Sequence, residues 1–471
     1  MADRAMAPSI VVIGGGISGL AAAHRLRKAG ATVTLLEKSP GLGGKVATEH
    51  SDGFLIEAGP DSFVAAKGPV IELAKELGLT ARVLSSRPEH RGSHVWWQGR
   101  LHPLPEGLLL MAPSRLAPLF RSSLLSWKGK LRVLGDLLLP RQRHGEDESL
   151  ESFVVRRLGR EVLERIAEPL IAGIHAAEPA TMSLQASFPR FLEMEREHRS
   201  LILAARSAAS KPASSGGLSY FASFKDGMGE LVTALVGALS GVEIKTGSVV
   251  TRVTRGNDGD GFAVMLADGT EYLAQGVILA TPARETAGLL KELMPEAAAA
   301  IAGIQQVSTA AVTLAYRSDE TPRLPGSGFV VPSVARRRIM GVSFLSQKWE
   351  GRVPDQRFTL LRGFVGGVNG QDLALSGQDR LVAVVREELA ALLGITATPV
   401  LMRTHVWAGG LHQYTLGHLG RVTTAESVVA AYPGLALAGA AFRGIGLNEC
   451  VRSGWSAAET VLAAAPGTVR V

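Results

Sequence analysis

The stretch Ile10-Val11-Val12-Ile13-Gly14-Gly15-Gly16-Ile17-Ser18-Gly19, with Leu20 to Ala29 and Ala31-Thr32-Val33-Thr34-Leu35-Leu36-Glu37 behind it, decides how this chain is read. Four consecutive apolar residues suit a short buried strand. Ala and Leu recur at helical spacing from Leu20 to Ala29, and ATVTLLE has the composition of a buried parallel strand. The segment predicts a βαβ unit whose strand-to-helix turn is built from glycine. Gly14 permits the tight turn, Gly16 lets a pyrophosphate approach the backbone, and Gly19 lets helix and strand pack closely. Gly15, Ile17 and Ser18 complete the turn, where the free N–H groups and positive dipole end of the helix favour phosphate. An acid about 20 residues further on, at the end of the second strand, accepts ribose hydroxyls, and Glu37 stands there. The pattern points to a bound dinucleotide. Glu37 alone does not choose between a nicotinamide and a flavin nucleotide.

Working outward, 471 residues exceed one compact core and predict two or three domains. Hydrophobic residues at 46% and charged residues at 20% are ordinary for a globular protein, and the 54 glycines imply many tight turns. The formal charge of +7 favours an acidic partner such as anionic lipid or a carboxylate substrate. No long Lys/Arg block or nucleic-acid-binding motif is present, so nucleic acid is not expected. Cys450 is the only cysteine, which excludes an intramolecular disulfide and a cysteine-built metal site and fits a reducing compartment. No secretory signal precedes the first strand, and no uncharged apolar run reaches the roughly 18 residues of a spanning helix. The expected location is cytoplasmic, with any membrane contact peripheral, on the inner face.

Leu104 to Arg143 alternates Leu and Met clusters with Arg and Lys, broken by prolines at 105, 113, 118 and 140. It reads either as a helical unit with a wet basic face or as an amphipathic membrane-surface patch. Residues 149 to 205 read as helical, and Lys211 to Gly217 as a linker. Val242 to Val253 alternates like one strand, Asp268-Gly269 marks a hairpin, Val277 to Ala280 is a buried strand, and Ala310 to Gly367 is β-rich. HExxH, zinc cysteines and a GxSxG elbow are all missing, and the scattered histidines His94, His175, His198, His405, His412 and His418 read as structural or surface residues. No catalytic residue is assigned.

Directly after Glu37-Lys38 comes Gly41-Leu42-Gly43-Gly44-Lys45, then Glu57-Ala58-Gly59-Pro60-Asp61-Ser62. Near the C-terminus Leu437-Ala438-Gly439 precedes Gly444-Ile445-Gly446-Leu447-Asn448. On these residues the chain resembles the flavin amine-oxidase superfamily. The resemblance implies FAD, a mixed α/β fold with a discontinuous Rossmann-like FAD-binding domain, a β-sheet substrate domain and a helical, membrane-associating domain. It implies FAD-domain pieces at 1–90, 211–300 and 401–471, a helical domain at 91–210 and a β-rich substrate domain at 301–400. In that family the LGG turn lies over the pyrophosphate and the GP segment near the flavin ring. Lys38, Lys45, Asp61 and Ser62 belong to the same cofactor-binding stretches. Val250 matches a position whose backbone meets the adenine, and Trp407 one beside the flavin. The last helix aims its N-terminus at the flavin, where charge accumulates on reduction. The usual arginine ahead of LGG is Gly41 here.

Further segments, in order, are similar to oxygen-dependent protoporphyrinogen oxidases and the related coproporphyrinogen oxidases. They are GRLHPLPEG from Gly99, GIHAAEPATMSLQASFPRF from Gly173, EREHRSLILA from Glu195, GFVVPS from Gly328, LRGFVGG from Leu361 and HQYTLGHL from His412. The resemblance implies FAD-dependent oxidation of a porphyrinogen to a porphyrin in tetrapyrrole biosynthesis with dioxygen as acceptor. By that resemblance FAD would supply the hydride acceptor for a meso carbon of the substrate, and the protein would supply orientation, shielding and electrostatics. Protoporphyrinogen IX is the leading substrate and coproporphyrinogen III the alternative. Phe364 and Val330 match positions that sandwich pyrrole rings, and Gly173 one whose carbonyl lies beside the reacting face. Asp61 stands where Asn is usual. Ser343 replaces a large apolar residue, and Ser93 replaces a propionate-binding arginine for which Arg91 or Arg87 could substitute. A homodimer is admitted. Two rivals stay open: another flavin oxidase on the same fold, acting on amines or carotenoid precursors, and a non-enzymatic carrier of the GDI type. The intact glycines and Glu37 oppose the second.

Overall fold

The computed structural model describes residues 7–65, 68–142, 146–210, 220–256 and 261–464; the linker read at Lys211 to Gly217 lies outside them. The opening segment forms β1 (Ser9–Ile13), α1 (Ile17–Lys28) and β2 (Thr32–Leu36). β1 is the middle strand of a five-stranded parallel sheet, ordered Glu243–Lys245, β2, β1, Gly276–Leu279, Leu435–Leu437. Strand alternation explains its unbroken apolar sequence. Ile10 and Val12 enter one core, under α1 and the last helix, Leu447–Ala464. Val11 and Ile13 enter another, under Ala283–Leu290, Pro295–Ala302 and His418–Ala430. A sheet covered on both faces needs apolar residues at every position. Its strands come from three distant parts of the chain, so the Rossmann-like sheet is discontinuous in sequence.

A second, seven-stranded sheet runs Leu401–His412, Gln306–Arg317, Phe358–Gly366, Gly341–Phe344, Gly328–Val330, His94–Trp97, Arg100–Pro103. It is antiparallel except where Gly328–Val330 runs alongside His94–Trp97. The β-rich stretch read from Ala310 onward is thus one sheet, joined by strands from before and after it. One face packs Val312, Leu314, Val342, Leu361 and Val365 against Leu381, Val385 and Leu389 of the helix Gln378–Leu393. Helices Leu150–Arg157, Glu168–His175, Pro189–His198 and Leu201–Ala209 gather around Leu150, Phe153, Leu184 and Leu201 as a third unit.

Local readings differ in two places. Val242 to Val253 is two strands, Glu243–Lys245 and Val250–Arg255, in different sheets; the chain turns at Gly247, whose φ is +67°. The strands His94–Trp97 and Arg100–Pro103 are joined by a turn at Gln98 and Gly99, both with positive φ, and Trp97 pairs with Arg100. Pro118 does not break its helix, Leu116–Arg121, because it sits in the first turn, where no intrahelical N–H bond is lost.

Candidate functional site

The glycine turn has the geometry of a phosphate cradle. Gly14 has φ +107°, and a Cβ there would stand 2.6 Å from the Ala280 carbonyl oxygen. A Cβ on Gly19 would collide with the Gly14 carbonyl oxygen, whereas one on Gly16 would meet no protein atom within 4 Å. Gly16 begins α1 without a side-chain cap, and Ile17, Ser18 and Gly19 are buried, so the first turn keeps inward N–H groups uncapped by any side chain. Glu37 follows β2, and its carboxylate accepts from the Gly15 N–H at 2.7 Å and the Ser39 N–H at 2.7 Å. Lys38 points outward and pairs with Glu285 at 3.0 Å. Val250 begins its strand opposite Leu266 and packs beside the core of the parallel sheet.

A second layer rests on this turn. Gly43, with φ +101°, donates to the Gly15 carbonyl at 2.8 Å, and Gly44 lies against Gly16. A Cβ on Gly59 would collide with the Lys45 carbonyl oxygen, so the Ala58-Gly59-Pro60 turn is wedged against the Gly-Gly-Lys loop. Burial holds the Lys45 ammonium below its usual range. From the other side, Trp407 Nε1 donates to the Ala58 carbonyl at 2.8 Å, and the Arg362 guanidinium to the Gly59 carbonyl at 2.6 Å. Asp61 next door accepts from Lys348 Nζ at 2.8 Å, Trp349 Nε1 at 3.2 Å and the Ser62 hydroxyl at 2.8 Å. Burial alone would raise its carboxyl, but Lys348 and Arg362 hold it well below the ordinary carboxylate range. Asp61 is therefore ionised and compensated, not a lone charge.

The C-terminal segment closes the cleft. Gly439, with φ +118°, donates to the Ser453 hydroxyl at 3.0 Å. Gly446 and Leu447 lead into the last helix, and a Cβ on Gly446 would collide with the Glu449 carboxylate. Asn448 bonds the Val64 carbonyl and the Val70 N–H at 2.9 and 3.1 Å, tying this helix to the chain beyond Ser62. The HQYTLGHL segment serves this loop. The Tyr414 hydroxyl donates to the Ala440 carbonyl at 2.9 Å and accepts from the Gly444 N–H at 2.7 Å, while His418 donates to the Phe442 carbonyl at 2.7 Å. Burial depresses His412 to about 3, and its Nε2 accepts from the Ala283 N–H at 3.1 Å.

Strand register collects the remaining residues on one face of the seven-stranded sheet. Thr309 faces Trp407 and Thr313 faces Arg362; Arg362 faces Ser343, Phe364 faces Gly341, and Gly328 and Val330 extend the row. Residues directly opposite, and two apart along a strand, share a face. Trp407, Arg362, Ser343, Phe364 and Val330 therefore look the same way. At one end the face meets the Ala58-Gly59 turn; at the other, Val330 packs on the helical unit. There a Cβ on Gly173 would stand 3.6 Å from Val330. Between the ends the lining is Gly341, Ser343 and Phe364, a low floor suited to a flat molecule. Arg91 is exposed, just before the seam where Gly92 accepts from the Ser327 N–H at 3.0 Å, at the far end of the Gly328–Val330 strand from Val330. Among the described residues no cluster of His, Cys, Asp or Glu could hold a metal.

The family described as flavin containing amine oxidoreductase matches residues 17–462. The chain belongs to that family. It is 35% identical to the coproporphyrinogen III oxidase of Propionibacterium freudenreichii over 97% of this chain and 91% of that one. It is 33% identical to the protoporphyrinogen oxidase of Bos taurus over 98% of this chain and the whole of the other. A crystal structure from Exiguobacterium sp. 255-15 superposes with a TM-score of 0.86 at 32% identity, covering 96% of this chain and 98% of that one.

As a flavin containing amine oxidoreductase the chain is an enzyme with FAD as cofactor. The uncapped start of α1, the open space over Gly16 and the carboxylate of Glu37 fit the phosphates and ribose of that group. Sequence reading passed over Arg362, Lys348 and Trp349. Arg362 had a signal: it is the one charged residue in the strand FTLLRGFVG and, at period 2, shares a face with Phe364. Lys348 and Trp349 had none, because they reach Asp61 from 287 and 288 residues away.

Proposed function

We propose that this oxidoreductase converts a porphyrinogen to the porphyrin with dioxygen as final acceptor, protoporphyrinogen IX being the first substrate to test. The observation that carries the reading is the sheet face on which Phe364, Ser343 and Gly341 make a low floor between Val330 and the Ala58-Gly59 turn. Bound FAD supplies the acceptor for the electrons removed from the macrocycle. The chain's own residues do the rest. Gly14, Gly16, Gly19 and Glu37 hold the nucleotide. Phe364 and Val330 orient the ring, and Gly173 lines the edge opposite the floor. No acid or base is needed to hold a flat substrate face-on, and none of the histidines is placed in that role. A second reading, coproporphyrinogen III, is favoured by the name of the Propionibacterium relative. Side-by-side turnover of the two porphyrinogens, followed by porphyrin fluorescence, separates them. Inertness toward both, in yellow protein, removes the porphyrinogen reading.

We also propose that the enzyme meets an anionic membrane surface through the helix Trp127–Leu134. Trp127 (69% exposed) and Leu131 (62%) lie one turn apart on it, and Leu138 (83%) lies just beyond. Arg121, Lys128 and Arg132 are exposed around them. An exposed apolar row ringed by cations is what an interfacial helix presents to lipid headgroups. No helix among the described residues is long and apolar enough to cross a membrane.

A further inference from the structure

Arg362 is 3% exposed. Among the described residues it touches no carboxylate; its two bonds go to the Gly59 carbonyl at 2.6 Å and the Ala58 carbonyl at 3.4 Å. Its Nε is buried and has no hydrogen-bond partner. On the sheet it looks out between Phe364, whose ring lies 5.0 Å from the guanidinium carbon, and Ser343 opposite. The nearest carboxylate whose charge it feels, Asp61, is already paired with Lys348. About the Glu57 to Ser62 turn stand three cations, Arg362, Lys348 and Arg352, and two carboxylates, Asp61 and Glu57. Asp226 and Glu230 act on Arg352 as well, which leaves Arg362, among the described residues, as the cation of the three with no ion pair and no carboxylate neighbourhood of its own beyond Asp61 and Glu57. Burial raises the Glu57 carboxyl and so weakens the negative side further. Arg352 is spent on the carbonyls of Phe224 and Lys225 and on the Ser223 hydroxyl.

An isolated buried cation is costly to desolvate, and a neutral donor would tie two carbonyls as well. Among the described residues the charge has no carboxylate in contact with it, and Asp61 and Glu57 offset it only from a distance. Guanidinium keeps its proton at every working pH, so the charge of Arg362 is permanent. The turn it grips is the one wedged on the Gly-Gly-Lys loop, beside the nucleotide cradle. We infer that Arg362 is a positioning residue that sets the redox poise of FAD: it holds the Ala58–Gly59 peptide in place and favours the cofactor in the form that has gained electrons and negative charge. The inference rests on the cofactor alone, not on the substrate.

The test is the flavin midpoint potential of the purified holoprotein, by equilibration with a reference dye, in the parent, Arg362→Lys and Arg362→Met. Arg362→Met is expected to shift the oxidised-to-reduced equilibrium at least tenfold toward oxidised flavin, about 30 mV for two electrons, and Arg362→Lys to restore most of it. If Arg362→Met holds FAD at the parent potential, the residue is only a tie between carbonyls and the inference is overturned. Should Arg362→Met fail to hold FAD, Asp61→Asn decides by the opposite sign. Removing one negative charge from the same cluster must move the equilibrium toward reduced flavin, and an unchanged or lower potential overturns the proposal. Turnover of any porphyrinogen does not enter either measurement, so loss of the proposed substrate leaves this result standing.

Discussion

Gly16 and Gly19 look alike in a motif and differ in three dimensions. A Cβ on Gly16 enters space that no protein atom occupies within 4 Å, at φ −71°, where alanine is unstrained. A Cβ on Gly19 collides with the Gly14 carbonyl. Gly16→Ala is therefore expected to fold with the parent's apoprotein stability, within about 0.5 kcal/mol. It should lose FAD affinity by about 1.4 kcal/mol or more, tenfold in Kd, because the methyl takes phosphate space. Gly19→Ala is expected to lose about 1–3 kcal/mol of stability through overpacking. Flavin titration and urea melts of the two apoproteins check the split; equal FAD affinity in Gly16→Ala and parent would move the phosphates off this turn. The motif's geometry is legible in the sequence, because steric rules at a strand-to-helix turn are local. Asp61 is legible there only as an oddity. Its ionisation depends on Lys348 and Trp349, which the fold brings from far along the chain.

At the scale of elements, the alternation of the Phe358–Gly366 strand divides it into two functions. Leu361 and Val365 face the helix Gln378–Leu393; Arg362 and Phe364 face the cleft. Phe364→Ala is expected to raise KM for the porphyrinogen several-fold with flavin content unchanged. Leu361→Ala, in the core, should cost about 2–5 kcal/mol of stability with KM unchanged. Steady-state kinetics beside thermal melts separate the two, and a KM in Phe364→Ala equal to the parent's takes that residue out of the substrate floor. The helix Glu168–His175 is held to the turn that follows the Gly328–Val330 strand by Glu168, which accepts from the Ser333 N–H at 3.1 Å. Burial raises this carboxyl from 4.5 to about 7 against the pull of that bond. A raised carboxyl binds its proton more tightly folded than unfolded. The stability it gives is complete below about pH 4.5 and is lost as pH rises toward 7, about 1.4 kcal/mol for each pKa unit of difference. Glu168→Gln should abolish that loss, so its melting temperature should fall less than the parent's between pH 5 and 7.5; parallel profiles would place the titration elsewhere. Period-2 alternation made the sheet readable as strands, but its strand order was not. Val330 and Phe364 become neighbours through Gly341–Phe344, and the bulge between Val307 and Thr309 that brings Trp407 onto the cleft face leaves no local pattern.

Over the whole molecule, charge and apolar exposure are unevenly spread. The net charge is +7, and among the described residues the most exposed leucine, Leu138, lies with Trp127 and Leu131 on the helical unit, the same unit that sets Gly173 beside Val330. A porphyrinogen is a large apolar macrocycle with carboxylate arms. An enzyme that takes it from a membrane surface gains by holding the helical unit, and so the mouth of the cleft, against that surface. Electrostatic attraction contributes about 1 kcal/mol for each basic side chain near an anionic leaflet, and insertion of Trp127, Leu131 and Leu138 adds apolar burial. The parent is expected to sediment with phosphatidylglycerol-containing vesicles at low salt and far less with phosphatidylcholine alone or at high salt, with a blue-shifted Trp127 emission. Leu131→Asp together with Leu138→Asp should cut vesicle binding by about tenfold, 1.4 kcal/mol, with flavin content and melting temperature unchanged, since both side chains already face solvent. If the parent ignores anionic vesicles at low salt, or the double variant binds them as well as the parent, this face has another use and the basic charge is an ordinary solvated surface.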